Sequence, residues 1–393
     1  MRESWSAVII NYNGAAFLGA CIVALQQTSP PPTEIVVVDN ASTDDSLLEL
    51  SGFPRVNVMR LPRNLGFGAG ANVGLGAVET PYALLMNPDV EVDRDFGAAL
   101  LGAFGSDARL GAAGALLLFP QTTTVQHAGG VLEKPLMTTR HRGYREPAES
   151  IGPDSVDVDF VTGGCVALRT EAFHAVGGFD EQFSPVYYED VDLCASLRDA
   201  GWRVRFVPAL RAEHHEGSTL GRSDDYFRHF HRNRLRYALK HLSSVEWRRS
   251  FLPAEIERIR WDLGEEGAND WRAFSGADAI ESLLTDGSEA GSTLGAVSPA
   301  ALQTAVGELK AGWEVQRRRQ GEGRLRRALT PWNRQIDRVI EDQRAFNGAI
   351  VRAFAQQDAM NRQQTAQLLL IALEIAERLR ASGRPPADLP GLR

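Results

Sequence analysis

Apolar positions in the first ninety or so residues fall into short, nearly unbroken runs separated by helical stripes. Residues 5–10 (Trp-Ser-Ala-Val-Ile-Ile) and 34–38 (Glu-Ile-Val-Val-Val) carry β-branched residues with little alternation, the pattern of strands covered on both faces. Between them, residues 15–27 place Phe17, Cys21, Ala24 and Leu25 on one stripe, and Pro30-Pro31-Pro32 ends it, so a βαβ unit is predicted. The alternation continues with a helix near 44–50, a strand at 56–61, a helix near 68–78 and a strand at 82–86. An open α/β sheet of at least four strands is expected.

From about Gly111 to Pro208 the pattern predicts strand pieces at 112–119, 125–132, 156–168 and 203–207, and one helix over 190–200 that closes on Gly201. These read as a mixed extension of the same sheet. After about His241 the β signal ends, and helices interrupted by Gly and Ser rich stretches such as 286–298 take over. From Trp332 the series Ile336, Val339, Gln343, Phe346, Ile350, Ala353, Gln357, Met360, Gln364 alternates steps of four and three, a heptad seam. The expected division is an α/β domain over 1–242, a helical accessory region over 243–330, and a long helix with a Pro-rich tail over 331–393. Residues 332–379 as one helix would measure about 70 Å at 1.5 Å per residue. An apolar stripe of that length calls for a partner, and a homodimer is expected.

Composition narrows the function classes. With 393 residues, a net charge of −8, 44% hydrophobic and 23% charged residues, the chain is an ordinary globular protein and has no basic coat for nucleic acid. Three cysteines, none in a C-x-x-C pair, exclude a disulfide framework and point to a reducing, cytoplasmic setting. With only residues 1–4 ahead of the first predicted strand, no export signal is expected. The longest apolar-leaning stretch, 366–376, contains Gln367 and Glu374 and falls short of the roughly 18 residues of a membrane span. Any membrane contact is therefore expected to be peripheral. Residues 222–249, where Arg228, Arg232, Arg234, Arg236 and Lys240 interleave with aromatic and aliphatic residues, suit an anionic leaflet or simply a solvated helix face.

Polar clusters stand where an open parallel sheet gathers its ligands, beyond the carboxyl ends of the strands. The first strand ends in Asn11-Tyr12-Asn13-Gly14, the second in Asp39-Asn40-Ala41-Ser42-Thr43-Asp44, and the fourth in Asn87-Pro88-Asp89. Turn and cap chemistry accounts for Ser42 and Asp44. Carboxylates at the ends of two buried strands, Asp39 and Asp89, instead imply a shared ligand such as a nucleotide or its metal. The run Gly66-Phe67-Gly68-Ala69-Gly70-Ala71-Asn72-Val73-Gly74 is no dinucleotide fingerprint, because Val73 occupies the third glycine position and the run follows the third strand. It fits either close approach of a sugar or phosphate, or tight packing.

Farther along, Tyr188-Glu189-Asp190-Val191-Asp192 puts three carboxylates in four positions at a helix start, more than capping requires. One of Glu189 and Asp190 can face the cleft as a base while the other anchors a loop. Glu213-His214-His215-Glu216 offers imidazole and carboxylate ligands suited to a hard divalent ion.

These motifs, in this order over about residues 5–240, resemble the family 2 glycosyltransferases, particularly a bacterial rhamnosyltransferase-like branch with a GT-A fold. The resemblance implies an α/β GT-A nucleotide-binding fold with a mixed central sheet, ahead of the helical C-terminal region. It implies an inverting, metal-dependent transfer of a sugar from a nucleotide-diphosphate donor, such as dTDP-rhamnose or a UDP-sugar, to a hydroxyl of a glycan or lipid-linked glycan. By the same resemblance Asn11, Asn13 and Asp39 line the base pocket and Asn72 lies near ribose and phosphates. Asp89 and His214 (His215 as alternate) would hold Mg²⁺ or Mn²⁺, Asp190 would be the catalytic base, and Glu189 its structural neighbour. Asn87 stands where the family's metal motif has its first Asp, leaving one fewer charge on the ion. A nucleotidyltransferase would want a cation after the first strand, and residues 11–14 have none. An inactive sugar-nucleotide-binding scaffold is the alternative from another class.

Overall fold

The computed structural model describes residues 4–215, 224–251, 253–255 and 257–258. The chain divides into two compact units, Met1–Gly221 and Arg222–Arg393. In the first unit β1 (Trp5–Asn11), α1 (Ala15–Gln26), β2 (Ile35–Asp39), α2 (Ser46–Leu50), β3 (Asn57–Arg60), α3 (Phe67–Gly76) and β4 (Tyr82–Met86) alternate as the apolar pattern predicts. β1 pairs in parallel with β2 and with β4, and β2 with β3. The order is thus β3-β2-β1-β4, with the reversal of direction at β1, where such sheets open a ligand crevice.

Both faces of β1, β2 and β4 are covered, which is why these strands lack alternation, whereas the edge strand β3 is largely exposed. Trp5, Ala7, Ile9, Ile35, Val37, Leu84 and Met86 join one core with Leu18, Cys21, Ile22 and Leu25 of α1. That stripe is rotated from the predicted one: Leu18 and Ile22 are buried, whereas Phe17 and Ala24 are half-buried. On the opposite face α3 approaches closely. A Cβ on Gly74 would lie 2.5 Å from Val8 Cγ1 and 2.8 Å from Val38 Cγ2. Gly70 and Gly74 of α3 therefore serve tight packing against the sheet.

The sheet continues with β5 (Val90–Val92), then α4 (Phe96–Ser106), β6 (Leu110–Leu118), β7 (Val125–His127), β8 (Gly130–Glu133), β9 (Thr138–His141), β10 (Val156–Asp157), β11 (Cys165–Arg169), α5 (Thr170–Ala175), α6 (Glu189–Asp199) and β12 (Arg203–His214). Beyond β4 the order is β11-β6-β12-β10, with β5 on β12 and β7 on β6. β11 runs antiparallel to β4 and β6, and β12 runs parallel to β6. This mixed sheet matches the expected extension, but three strand predictions were wrong in length. The 125–132 piece breaks at Gly129, whose φ is +87. The 156–168 piece becomes β10 and β11. β12 continues past Pro208 to His214 through a register shift between Phe206 and Arg211. β5, α4, β9 and α5 were not anticipated. Separately, β8 and β9 form a two-stranded hairpin.

In the second unit α7 (Asp224–His241) is followed by helical turns over Ser244–Glu246 and Trp247–Phe251. Arg234 is fully buried, with Nη2 2.6 Å from Glu255 Oε1, and Arg258 meets the same oxygen at 2.6 Å. Arg236, Tyr237 and Leu239 are buried as well, so two of the cations assigned to a leaflet or a solvated face point inward. Among the described residues no helix is long and apolar enough to cross a membrane. The heptad seam and the predicted long helix lie outside the described residues.

Candidate active site

At the carboxyl ends of β1 and β2 the backbone ladder sets Asn11 beside Asp39. Both are buried. Asn11 Nδ2 donates to Asp39 Oδ1 at 3.1 Å and to Ser42 Oγ at 3.0 Å. Its Oδ1 is buried with no hydrogen-bond partner, an acceptor left for a ligand or water. A Cβ on Gly14 would come within 2.5 Å of that oxygen and 2.8 Å of Pro88 Cγ, so the glycine keeps the β1 loop against the β4 loop. Asn13 is exposed, and its Oδ1 accepts the Thr43 amide at 2.8 Å. Asp44 Oδ2 accepts the Ala15 amide at 2.9 Å, satisfying a free N–H at the start of α1. Burial pushes the Asp44 carboxyl up, but the bonds from Ser46 and Ala15 outweigh it and hold it below the usual range. Ser42 and Asp44 thus tie the two strand-end loops together, as cap and turn chemistry predicts.

Asn72 has its amide engaged within the protein. Nδ2 donates to Phe179 O at 2.9 Å and Glu181 Oε1 at 3.1 Å, while Oδ1 accepts the Phe179 amide at 2.8 Å. It clamps the loop before α6 onto α3. Asn40, quoted at sequence level only as part of a motif, does the same for the 64–67 loop: Nδ2 donates to Gly66 O at 3.0 Å and Oδ1 accepts the Leu65 amide at 2.9 Å.

The Asn87-Pro88-Asp89 turn is fixed on two sides. Asn87 N donates to Gly164 O at 3.0 Å, and His215 N donates to Asp89 O at 2.9 Å. The ladder of β5 against β12 pairs Val90 with His214. Asp89 is buried and its Oδ1 makes no hydrogen bond, although His214 Nε2 lies 3.3 Å away. His214 Nδ1 is 2.6 Å from Gln126 Oε1, and Gln126 Nε2 donates to His214 O at 3.3 Å. His215 turns to Glu91, 3.2 Å from Oε1, and its ring is 5.3 Å from that of Phe17.

Among the described residues no three His, Cys, Asp or Glu side chains converge as a full metal cage. The two present nevertheless fit a hard divalent ion. An orphaned buried carboxylate oxygen faces an imidazole nitrogen, and Mg²⁺-type sites characteristically use one or two protein ligands completed by substrate phosphates and water.

Asp190 sits in the first turn of α6 beside Gly163, whose amide donates to Oδ2 at 3.0 Å, while the Val191 amide donates to Oδ1 at 2.8 Å. Burial raises its carboxyl above the ordinary range, and the bonds from Gly163, Val191 and Thr162 reduce this without cancelling it. Glu189 is buried with Oε2 unpartnered. Burial, reinforced by the Asp190 charge, pushes Glu189 well above the usual range. Two successive left-handed residues, Tyr187 (φ 76) and Tyr188 (φ 69), deliver the chain into this helix, and such conformations are uncommon for bulky residues.

Gly163 and Gly164 join the clusters. A Cβ on Gly163 would lie 2.8 Å from Phe67 Cε1 and 3.6 Å from Asp190 Cβ. One on Gly164 would lie 3.5 Å from Asn87 Nδ2 and 3.7 Å from His214 Cε1. The base candidate and the metal candidates therefore flank adjacent residues at the start of β11. Sequence reasoning missed Gly163, Gly164, Thr162 and Gln126, because their importance arises from pairings between distant segments. The cysteines are buried thiols, not nucleophiles: burial pushes Cys165 and Cys194 up to about 12.

A parallel nucleotide-type half-sheet, a mixed second half and carboxylates gathered at the strand ends define a GT-A type transferase. The model of glycosyl transferase family 2 matches residues 6–177, and that of glycosyl transferase family group 2 matches residues 110–297. Over these residues the chain is similar to the family 2 glycosyltransferases. It is 28% identical over 249 residues to the N-acetylglucosaminyl-diphospho-decaprenol L-rhamnosyltransferase of Mycobacterium tuberculosis, covering 56% of this chain and 79% of that protein. It is 30% identical over 164 residues to the rhamnosyltransferase WbbL of Escherichia coli K12, covering 38% of this chain and 61% of that protein. A solved structure of GalNAc-T7 with UDP, GalNAc and Mn²⁺ superimposes with a TM-score of 0.48 at 19% identity, over 60% of this chain and 48% of that one.

Proposed function

We propose that this glycosyltransferase moves a sugar, by single displacement with inversion, from a nucleotide-diphosphate donor to a hydroxyl of a glycan or lipid-linked glycan. The names of the two rhamnosyltransferase relatives favour a deoxyhexose donor of the dTDP-rhamnose kind, and the decaprenol-linked substrate named for the first favours a lipid-linked acceptor on a cytoplasmic membrane face. Asp39 and Asn11 receive the nucleobase, with Asn13 at the pocket's exposed rim. Asn72 acts on the donor indirectly, through the Phe179 loop it clamps.

Asp89 and His214 hold a divalent ion such as Mg²⁺ or Mn²⁺, which when bound neutralises charge on the departing diphosphate. Asp190 accepts the acceptor hydroxyl proton as the oxygen bonds to the anomeric carbon and the bond to the diphosphate breaks. Its raised carboxyl is a stronger proton acceptor than an ordinary Asp. Burial and the Asp190 charge favour the neutral form of Glu189, which limits negative charge beside the reaction.

The observation that carries this reading is the approach of Asp190 and His214 to the Gly163-Gly164 turn, with Asp89 set against His214. Its test is transfer from a panel of nucleotide sugars, with and without Mn²⁺, by the native chain and by Asp89→Ala. Metal-dependent transfer that Asp89→Ala abolishes is expected. Donor binding without transfer or hydrolysis under any condition would instead establish a non-catalytic scaffold.

A further inference from the structure

From the way β7 meets β12, we infer that Gln126 is a positioning residue that fixes the tautomer and the aim of His214. The inference rests on the reading of His214 as a metal-side ligand. β7 pairs with β6 through Leu117↔His127 and Leu118↔Val125. One step along β6 thus corresponds to two along β7, and Gln126 is the extra residue of a bulge. Bulges redirect a side chain out of the strand's alternation and recur beside active sites. Here the redirected amide is buried and grips one residue twice. Nε2 donates to His214 O, which leaves Oε1 facing the ring at 2.6 Å. The flipped amide would set two acceptor oxygens against each other and is excluded.

An oxygen facing Nδ1 requires Nδ1 to carry the proton. Nε2 then presents its lone pair toward Asp89 Oδ1, 3.3 Å away, the arrangement in which both atoms can share one cation. A partner on the far nitrogen of a metal-binding imidazole sets its tautomer and orientation. No other described residue bonds to that nitrogen in this structure.

The test combines two readouts on the whole chain. The first is the ring ¹⁵N spectrum of His214 in metal-free protein at about pH 8.5, where an ordinary imidazole is neutral. The native chain and Gln126→Glu, whose carboxylate also accepts, are expected to show the Nδ1–H form, and Gln126→Met a shift toward Nε2–H. The second is Mn²⁺ affinity, measured by electron paramagnetic resonance with Mn²⁺ alone and with UDP. Gln126→Met is expected to weaken it about 10- to 100-fold, the usual cost of losing such a partner, with Gln126→Glu restoring it to within a few-fold. A native tautomer in Gln126→Met, or equal losses in the Met and Glu variants, overturns the inference, the latter marking a mere brace for the backbone. His214→Ala separates the two claims: unchanged Mn²⁺ affinity there refutes the ligand reading, while the tautomer shift still decides the role of Gln126.

Discussion

Glu189 and Asp190 are chain neighbours with different surroundings. Asp190 is partly exposed and accepts two backbone amides, whereas Glu189 Oε2 is buried without a partner. Asp190→Asn removes the proton acceptor and keeps the shape, so turnover should fall by roughly 10² to 10⁴ while donor affinity is retained. Near-native turnover in the purified variant would move the base elsewhere. In the native enzyme the rate should rise with pH through a midpoint above the roughly 3.9 of an ordinary Asp, since the base works deprotonated and its carboxyl is raised. Glu189 contributes in the opposite sense. Its folded-state carboxyl is raised, so its stability contribution is present below the ordinary Glu range and lost as pH climbs toward the raised value. Glu189→Gln should therefore melt higher than the native chain at pH 8 and match it more closely at pH 4; a lower melting point at pH 8 would show that the carboxylate has a charged role.

At the level of elements, α3 sets two opposing effects against each other. Replacing a helical glycine by alanine gains roughly 0.5–1 kcal/mol of backbone entropy. At Gly74 the new methyl meets Val8 and Val38 in the fully buried sheet, and such overpacking costs about 1–3 kcal/mol. Gly74→Ala should thus destabilise. Gly76→Ala, with nothing within 4 Å of its Cβ, should be neutral or stabilising, and urea denaturation of the pair decides the matter. The parallel half was legible in sequence because β-branched runs buried on both faces announce themselves without knowledge of their neighbours. The rest was not. A strand of three residues such as β5 has too little pattern to declare a period, and α4 alternates Phe96, Leu100 and Phe104 with small residues that suit many conformations. Motif order singles out Asp39, Asp89 and Asp190 as candidates. The bulge at Gln126 and the tight turn at Gly163 depend on register with β6 and β4, which one segment does not encode.

Across the whole molecule, the second unit contains a charge that only a partner makes tolerable. Burial alone would raise Glu255, but Arg234 and Arg258 hold it far below the usual carboxyl range. Removing one member of a buried ion pair costs about 3–5 kcal/mol, so Glu255→Ala should unfold this unit at markedly lower denaturant than the native chain does. With a depressed carboxyl the pair's contribution is present above the ordinary Glu range and is lost only as pH falls well below it. The seam over residues 332–379 makes a separate claim, a homodimer through that helix. Light scattering should give twice the chain mass for the full protein and a single chain mass after truncation near Arg327; a monomeric full chain, or a dimer that survives truncation, refutes it.

The turn at Gly163 and Gly164 also limits how the enzyme can diversify. Asp190 packs beside Gly163 and His214 beside Gly164, and consecutive Cα atoms are about 3.8 Å apart whatever the side chains, so the covalent chain fixes the separation of these two points of contact. A single inserted residue there would shift one against the other and slip β11 against β4. The β8–β9 hairpin lies outside the main sheet, but its Met137 carbonyl accepts the hydroxyl of Tyr188, the residue before Glu189, so it too is tied to the start of α6.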